Sequence, residues 1–528
     1  METHRPRRTT AIAALVGVVL AALLSACGSS GGGSEQTTSL PKDLRILTVA
    51  GPPTFDQWAT VAQPLGIILM VNEPLVRYDG TEFQSGLAES FETVSPTKYT
   101  YTLREGITFS DGTPLTAEDV KYTFEAAMDD SHYSTTYVVM SSIKDIQIDG
   151  NTLTVNLAAP QPQFQYVVAQ TGIVSRDFYE EHGDAVGTPG VGQLGTGPYT
   201  LASFSPEEEM VVERNSEYWG DPAPFDSITF SVTKDDSARM LALQSGDADG
   251  IFEMPIGQVS AVEGLDGYTV HDVPDQTLYI LQMDTTMPPF DDPAVRDAVR
   301  HGIDRGAVVD AAFGGRAVVA STLTSAAALK NIADSDVVEE TLAGFDEDNA
   351  HDAELAKSTM AGSGSAEGFE VELPIETIDP NMALIAQVIE QDLAAIGIKV
   401  RIQVRDADYT AVLLEHDHEG LTLNSFTTNT PDPAMPLGYF TPADGVFNLT
   451  GLDNAEAVAA LGESNQLDVD DPARGNLILD ALTAQQERGA ILPLAMPNMY
   501  FGLRDGLTPE GFTNYWWMAR WDLGVTVQ

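Results

Sequence analysis

One cysteine stands alone in this chain of 528 residues, at position 27. It can form no intramolecular disulfide and cannot belong to a cysteine-rich metal site. What precedes it sets its chemistry. Arg5, Arg7 and Arg8 give a basic start, Ala11 to Leu24 is an apolar run of fourteen residues, and Leu24-Ser25-Ala26-Cys27-Gly28 closes the run with small residues. Such a run is short for a bilayer span and suits the core of a signal peptide. Small residues ahead of the cysteine admit a lipoprotein signal peptidase. The expected chemistry is therefore diacylglyceryl transfer to the Cys27 thiol, with cleavage just before it. Segment 1–26 reads as the signal peptide and 27–43 as a lipidated tether, flexible through Ser29 to Ser34. Two or more acyl chains hold a protein stably on a membrane, so Cys27 is the only membrane contact expected.

Other reactive patterns are sparse. His416-Asp417-His418 offers two imidazoles at i and i+2, which share a face only on a strand. They follow the helical-looking Tyr409 to Leu414, with no further histidine close by in sequence, so a solvated loop is expected and no metal site. No G-x-S-x-G elbow, H-E-x-x-H pair, P-loop or dinucleotide fingerprint occurs, and no cofactor is implied. Carboxylate pairs carry no weight, because acidic residues outnumber basic ones 78 to 27. The resulting formal charge of −51 repels nucleic acid and anionic lipid and keeps the surface hydrated. An exported hydrolase would need a nucleophile, a carboxylate pair or a metal site that stands out, and none does.

The elements that must position any site read as mixed α/β. Lys98 to Leu103 alternates with period two, putting Tyr99, Tyr101 and Leu103 on one face; Asn151 to Leu157 alternates likewise. Thr116 and Asp119 form a capping-box pattern ahead of a helix whose buried side carries Val120, Phe124 and Met128. Asp292-Pro293 starts a second helix, with Val295, Val299 and Ile303 as its stripe. A third is expected to open at Asn381, run through Ile385, Ile389 and Leu393, and end at Gly397, before a strand of alternating Ile398, Val400, Ile402 and Val404. The apolar fraction of 43% supplies a core, and the length predicts two or three lobes.

A long ordered set of fragments resembles the bacterial solute-binding proteins of family 5, the oligopeptide, dipeptide and nickel-binding type. Leu87–Thr93 (LAESFET) and Tyr101–Phe124 (YTLREGITFSDGTPLTAEDVKYTF) carry most of the likeness. Asn72–Val76 (NEPLV), Gly195–Tyr199 (GTGPY), Asn215–Gly220 (NSEYWG), Leu243–Asp249 (LQSGDAD) and Asp292–Arg305 (DPAVRDAVRHGIDR) keep the same order, with Gly302 where the family usually has alanine. These fragments are rich in turn and core residues and so speak for fold rather than ligand contact. The likeness runs from about Leu44 to the C-terminus.

The resemblance implies a two-lobed, periplasmic-binding-protein-like α/β fold (type II, cluster C) with an additional inserted domain. Domain I would combine 44–76, 196–283 and 500–528, domain II would be 77–195, and domain III 284–499, with hinge strands near 280 and 500. It also implies a non-enzymatic, extracytoplasmic subunit of an ABC importer that captures a small solute, a short peptide, and delivers it to a permease and ATPase. In peptide-binding members a W-x-x-D-x-x-D-P segment holds the peptide amine on its first aspartate. Here that stretch is Phe426–Pro433 (FTTNTPDP), so Phe426 keeps an aromatic wall while the neutral Asn429 replaces the clamp. An amide cannot offset an ammonium charge in a dry cleft. An oligosaccharide or another non-peptide solute is the alternative. The candidate ligand-binding residues are Phe55, Trp58, Phe426, Asn429 and Asp432. Tyr439-Phe440 and Trp516-Trp517 are aromatic pairs that suit either stacking or core.

Overall fold

The computed structural model describes residues 40–527 apart from 59–64, 130–135, 275, 407, 417–419 and 470. Cys27, its lipidation context and His418 lie outside the described residues. The fold is mixed α/β, as expected. A strand at Asp43–Thr48 pairs in parallel with Ser227–Val232 on one side and Gly250–Ile251 on the other. Antiparallel strands Glu209–Arg214 and Tyr199–Ser205 extend this sheet outward. A long strand, Ile491–Arg504, joins it from the other edge.

That long strand changes partners along its length. Asn498 to Arg504 pair with Tyr268–Pro274, whereas Ile491 to Ala495 pair with Thr277–Met283. The latter strand also pairs with Leu421–Thr427. The apolar side chains divide at the same place. Leu44, Ile46, Phe230 and Phe501 share one cluster, and Leu281, Val299, Leu393 and Leu423 another. A third cluster fills the sandwich between the four-stranded antiparallel sheet and its helices, with Tyr101, Phe124, Leu153 and Phe164 at its centre.

Local sequence explains these elements. Lys98–Leu103 and Thr152–Leu157 alternate in burial as their period-two patterns require, and pair antiparallel. The helix Ala117–Ala127 starts where Thr116 and Asp119 mark it: the Asp119 carboxylate accepts from the Thr116 N–H at 2.9 Å and from its hydroxyl at 2.6 Å. The same carboxylate takes the Arg176 N–H at 3.0 Å, so it fixes two helix starts at once. Asp292 caps Pro293–Gly302 through the Ala294 N–H. The third helix departs from expectation. It spans Pro380–Ala394, with Asp379 as cap and Pro380 in its first turn, so Asn381 lies already inside it. Gly397, at φ +89, supplies the left-handed turn into the strand Ile398–Val404.

Three of the family-like fragments meet at one buried carboxylate. Glu73 is wholly buried and accepts from the Tyr218 hydroxyl at 2.7 Å, Trp219 Nε1 at 2.8 Å and Thr196 Oγ1 at 3.3 Å, and it is also paired with Arg77. In the same place a Cβ on Gly195 would stand 1.9 Å from the Val71 carbonyl oxygen, and one on Gly197 2.0 Å from that of Met70. The two glycines are therefore set by close backbone approach. Asp249 does similar work elsewhere, binding Arg45 Nε at 3.0 Å and Arg504 at 2.7 Å across neighbouring strands.

Candidate functional site

The candidate residues from sequence are spread over separate parts of the fold. Phe55 is wholly buried, edge-on to Phe204 at 6.0 Å, with its N–H on the Gly187 carbonyl. Trp58 is 4% exposed and packs edge-on against Tyr179 at 4.9 Å. Phe426 sits among Tyr439, Phe440 and Phe447, at 5.5, 5.2 and 5.5 Å. Trp516 stacks on Phe512 at 5.6 Å and also packs as core. Asp432 is buried, and both its oxygens lie 2.7 Å from Arg474 Nη2. It also accepts from the Ala434 N–H at 3.1 Å, so it turns the chain into the following helix.

Asn429 is half-buried and stands where two parts of the molecule touch. Its carbonyl accepts from Gln170 Nε2 at 2.6 Å. Gln170 ends the helix Phe164–Gln170, which belongs to the core of Tyr101 and Phe124, whereas Asn429 follows the strand Leu421–Thr427. The turn after Gln170 is held from a third side. Gln57 donates to the Gly172 carbonyl at 2.8 Å and accepts its N–H at 3.2 Å.

Around this contact lies a polar and aromatic cluster that sequence reading missed. The Tyr515 hydroxyl is 2.9 Å from Gln276 Oε1 and 2.7 Å from the Thr430 carbonyl, and Thr428 Oγ1 donates to Gln276 Oε1 at 2.9 Å. Tyr166 packs against Tyr78 at 5.1 Å and Phe83 at 4.8 Å, and Tyr78 reaches Tyr515 at 6.4 Å. Burial pushes the Tyr78 hydroxyl up to about 12, with Asp79 adding to it, and raises Tyr166 further. Both phenols therefore stay protonated and able to donate. Gln170 Oε1 and Gln165 Nε2 are buried without a hydrogen-bond partner. Buried polar atoms are normally satisfied, so such atoms mark places for a ligand or water. The cluster's sequence signals are the Phe426–Pro433 segment, which contributes Thr428, Asn429 and Thr430, and the Trp516-Trp517 pair beside Tyr515. The helix Phe164–Gln170 is buried on every side and has no amphipathic stripe to announce it.

The profile of bacterial extracellular solute-binding proteins, family 5, matches residues 82–448. The chain belongs to that family. It is similar to the glutathione-binding protein GsiB of Escherichia coli, 31% identical over 335 residues, covering 62% of this chain and 62% of that protein. The chain thus matches less than two thirds of the length of these curated relatives. Among solved structures, the binding protein AgaA from A. tumefaciens R10, in complex with agropinic acid, has a TM-score of 0.72 at 24% identity, covering 92% of this chain and 98% of that one. DppA from Helicobacter pylori, in complex with the peptide STSA, has a TM-score of 0.72 at 21% identity, covering 90% and 97%. At these identities the likeness is one of fold: the two-lobed binding-protein architecture expected from sequence.

Other features of this family 5 chain stand apart from the contact between Gln170 and Asn429. A concavity of about 760 Å³ opens beside the four-stranded sheet, lined by Glu89, Arg104 and Trp219 among others, with the Arg104 guanidinium 5.2 Å from the Trp219 ring. His416 is exposed, with Nε2 3.4 Å from the Val446 carbonyl. Among the described residues no group of three His, Cys, Asp or Glu side chains stands close enough to hold a metal ion.

Proposed function

We propose that this family 5 chain is the extracytoplasmic solute-binding lipoprotein of an ABC importer. It captures short peptides between its lobes and delivers them to the membrane permease, which a partner ATPase drives, without chemical turnover. The supporting observation is the contact between Gln170 and Asn429. It joins two separately cored parts of the chain across a cluster of buried hydrogen-bonding and aromatic groups. A ligand that touches both parts only when they close shifts the open–closed equilibrium, and the permease then recognises the closed shape. In this reading the boundary between domains I and III lies where Ile491–Arg504 changes partner, and the inserted domain II is built on the Tyr101–Phe124 core. Phe426, Asn429 and Asp432 shape one wall, Asp432 through its hold on Arg474, while Phe55 and Trp58 support the opposite side from beneath. The peptide reading follows the named ligands of GsiB and DppA.

The same fold binding an oligosaccharide or another non-peptide solute is the second reading, favoured by the neutral Asn429. Mass spectrometry of solute released from natively purified protein separates the two. Recovered peptides support the first reading; a sugar or another non-peptide solute overturns it. The anchor is proposed at Cys27. Replacing Cys27 with Ala should move the protein from the membrane fraction to the soluble fraction, and retention on the membrane would refute lipidation at this residue.

A further inference from the structure

We infer that the ligand presents an uncharged hydrogen-bonding group, and not a protonated amine, to the cluster around Gln170 and Asn429. This rests on the capture reading above and narrows its ligand class. The side chains whose hydrogen bonds build the cluster, Gln170, Gln276, Thr428 and Tyr515, are all neutral, and Asn429 joins them through its backbone carbonyl. The buried carboxylate of Asp432 is taken up by Arg474, whose Nε and Nη1 are left without a hydrogen-bond partner, so the charge left over there is positive. Both Asp432 oxygens lie 2.7 Å from one guanidinium nitrogen, and the two side chains are 1% and 0% exposed. Asp79, beside Tyr78, sits outside the cluster in a loop where Thr81 and Gln84 hydrogen-bond its carboxylate. Neither carboxylate is free to face an ammonium in the cluster.

An ammonium moved into such a site loses its hydration and gains no counter-charge. An amide or hydroxyl there meets partners of matching strength. The buried Gln170 Oε1, on the side chain whose Nε2 reaches Asn429, is an acceptor without a donor. An amide N–H or a hydroxyl of the ligand supplies that donor. The ligand end seated here is therefore an acylated, amidated or otherwise neutral end.

The test is a competition between matched pools. A library of di- to pentapeptides is divided, one half is acetylated at its amines, and the full-length protein is dialysed against the mixture. Bound species are then read by mass spectrometry. Acetylated members should be retained over their free-amine counterparts by at least about tenfold, since an uncompensated buried charge discriminates strongly. In Asn429→Asp, which adds a carboxylate and keeps the backbone carbonyl that Gln170 binds, that ratio should fall about tenfold or more toward the free amines. Free-amine peptides retained equally or better by the wild-type protein overturn the inference and leave peptide capture standing. A ratio unchanged in Asn429→Asp overturns the placing of the ligand end at this cluster. Retention of neither pool overturns the peptide reading, and this inference with it.

Discussion

At the scale of single residues, burial decides which charges matter. Asp432 and Arg474 form a dry ion pair 42 residues apart in sequence. Removing one member leaves the other buried and unpaired. Asp432→Asn and Arg474→Met should each destabilise the protein by about 3–5 kcal/mol, and the double change to apolar residues of similar volume should recover much of that loss. Urea unfolding of the three variants checks it; equal destabilisation in the double variant would contradict the account. Asp432 was legible from sequence only as a turn residue or contact before Pro433. Its partner was not, because nothing local links position 432 to a helix forty residues on. A second charge acts in the opposite sense. Burial raises the Glu376 carboxyl, and Asp379 and Asp406 add to the effect. A carboxyl raised in the fold contributes stability below its ordinary value and loses it as pH rises through the raised value. Glu376→Gln should therefore raise Tm at pH 7 and leave it nearly unchanged at pH 4, by well under ~1 kcal/mol because the group is partly solvated. Melting curves at the two pH values read the difference.

At the scale of elements, the sequence marked starts and stops better than partners. The Thr116–Asp119 box, the Asp292-Pro293 start and the left-handed Gly397 all hold, since each is a local hydrogen-bonding or steric demand written in adjacent residues. Asn381 reads as the opening of its helix but lies inside it, because Asp379 and Pro380 together outrank it as a start. The second use of Asp119 was invisible: its other oxygen takes the Arg176 N–H, from a helix 57 residues away. That double duty makes Asp119 more than a cap. Asp119→Ala should destabilise by about 2–3 kcal/mol, above the ~1 kcal/mol typical of a lone cap. Thr116→Ala, which leaves the Arg176 contact in place, should lose about 1 kcal/mol. Equal losses in denaturant titrations would show that the link to Arg176 carries no stability. The helix Phe164–Gln170, which ends in the cluster, was passed over for the converse reason. Buried all round, it shows no 3.6-residue stripe.

At the scale of the whole molecule, the proposed capture between lobes requires closure to be only weakly favoured if a solute is to control it. The direct link between Gln170 and Asn429 is one neutral hydrogen bond, whose net worth is about 0.5–1.5 kcal/mol. Losing it should shift the open–closed equilibrium roughly 2- to 13-fold toward open. The sequence carried the family architecture over most of the chain and singled out Asn429 by the segment around it, but not this contact, because its partner Gln170 is a common polar residue with no pattern around it. Gln170→Ala tests it without any ligand. In a Cys27→Ser background, dyes on Glu105→Cys and Glu456→Cys report the separation of the two parts from exposed positions. Single-molecule energy transfer should show the short-distance population falling in Gln170→Ala, with Tm lowered by no more than a single surface-like hydrogen bond accounts for. The same variant should also bind any captured solute more weakly by the factor by which the closed fraction falls, because only closed molecules hold the ligand on both sides. An unchanged distance distribution would mean that closure is set elsewhere, by the aromatic contacts of Tyr78, Tyr166 and Tyr515. Tyr166→Leu would then move the distribution where Gln170→Ala does not.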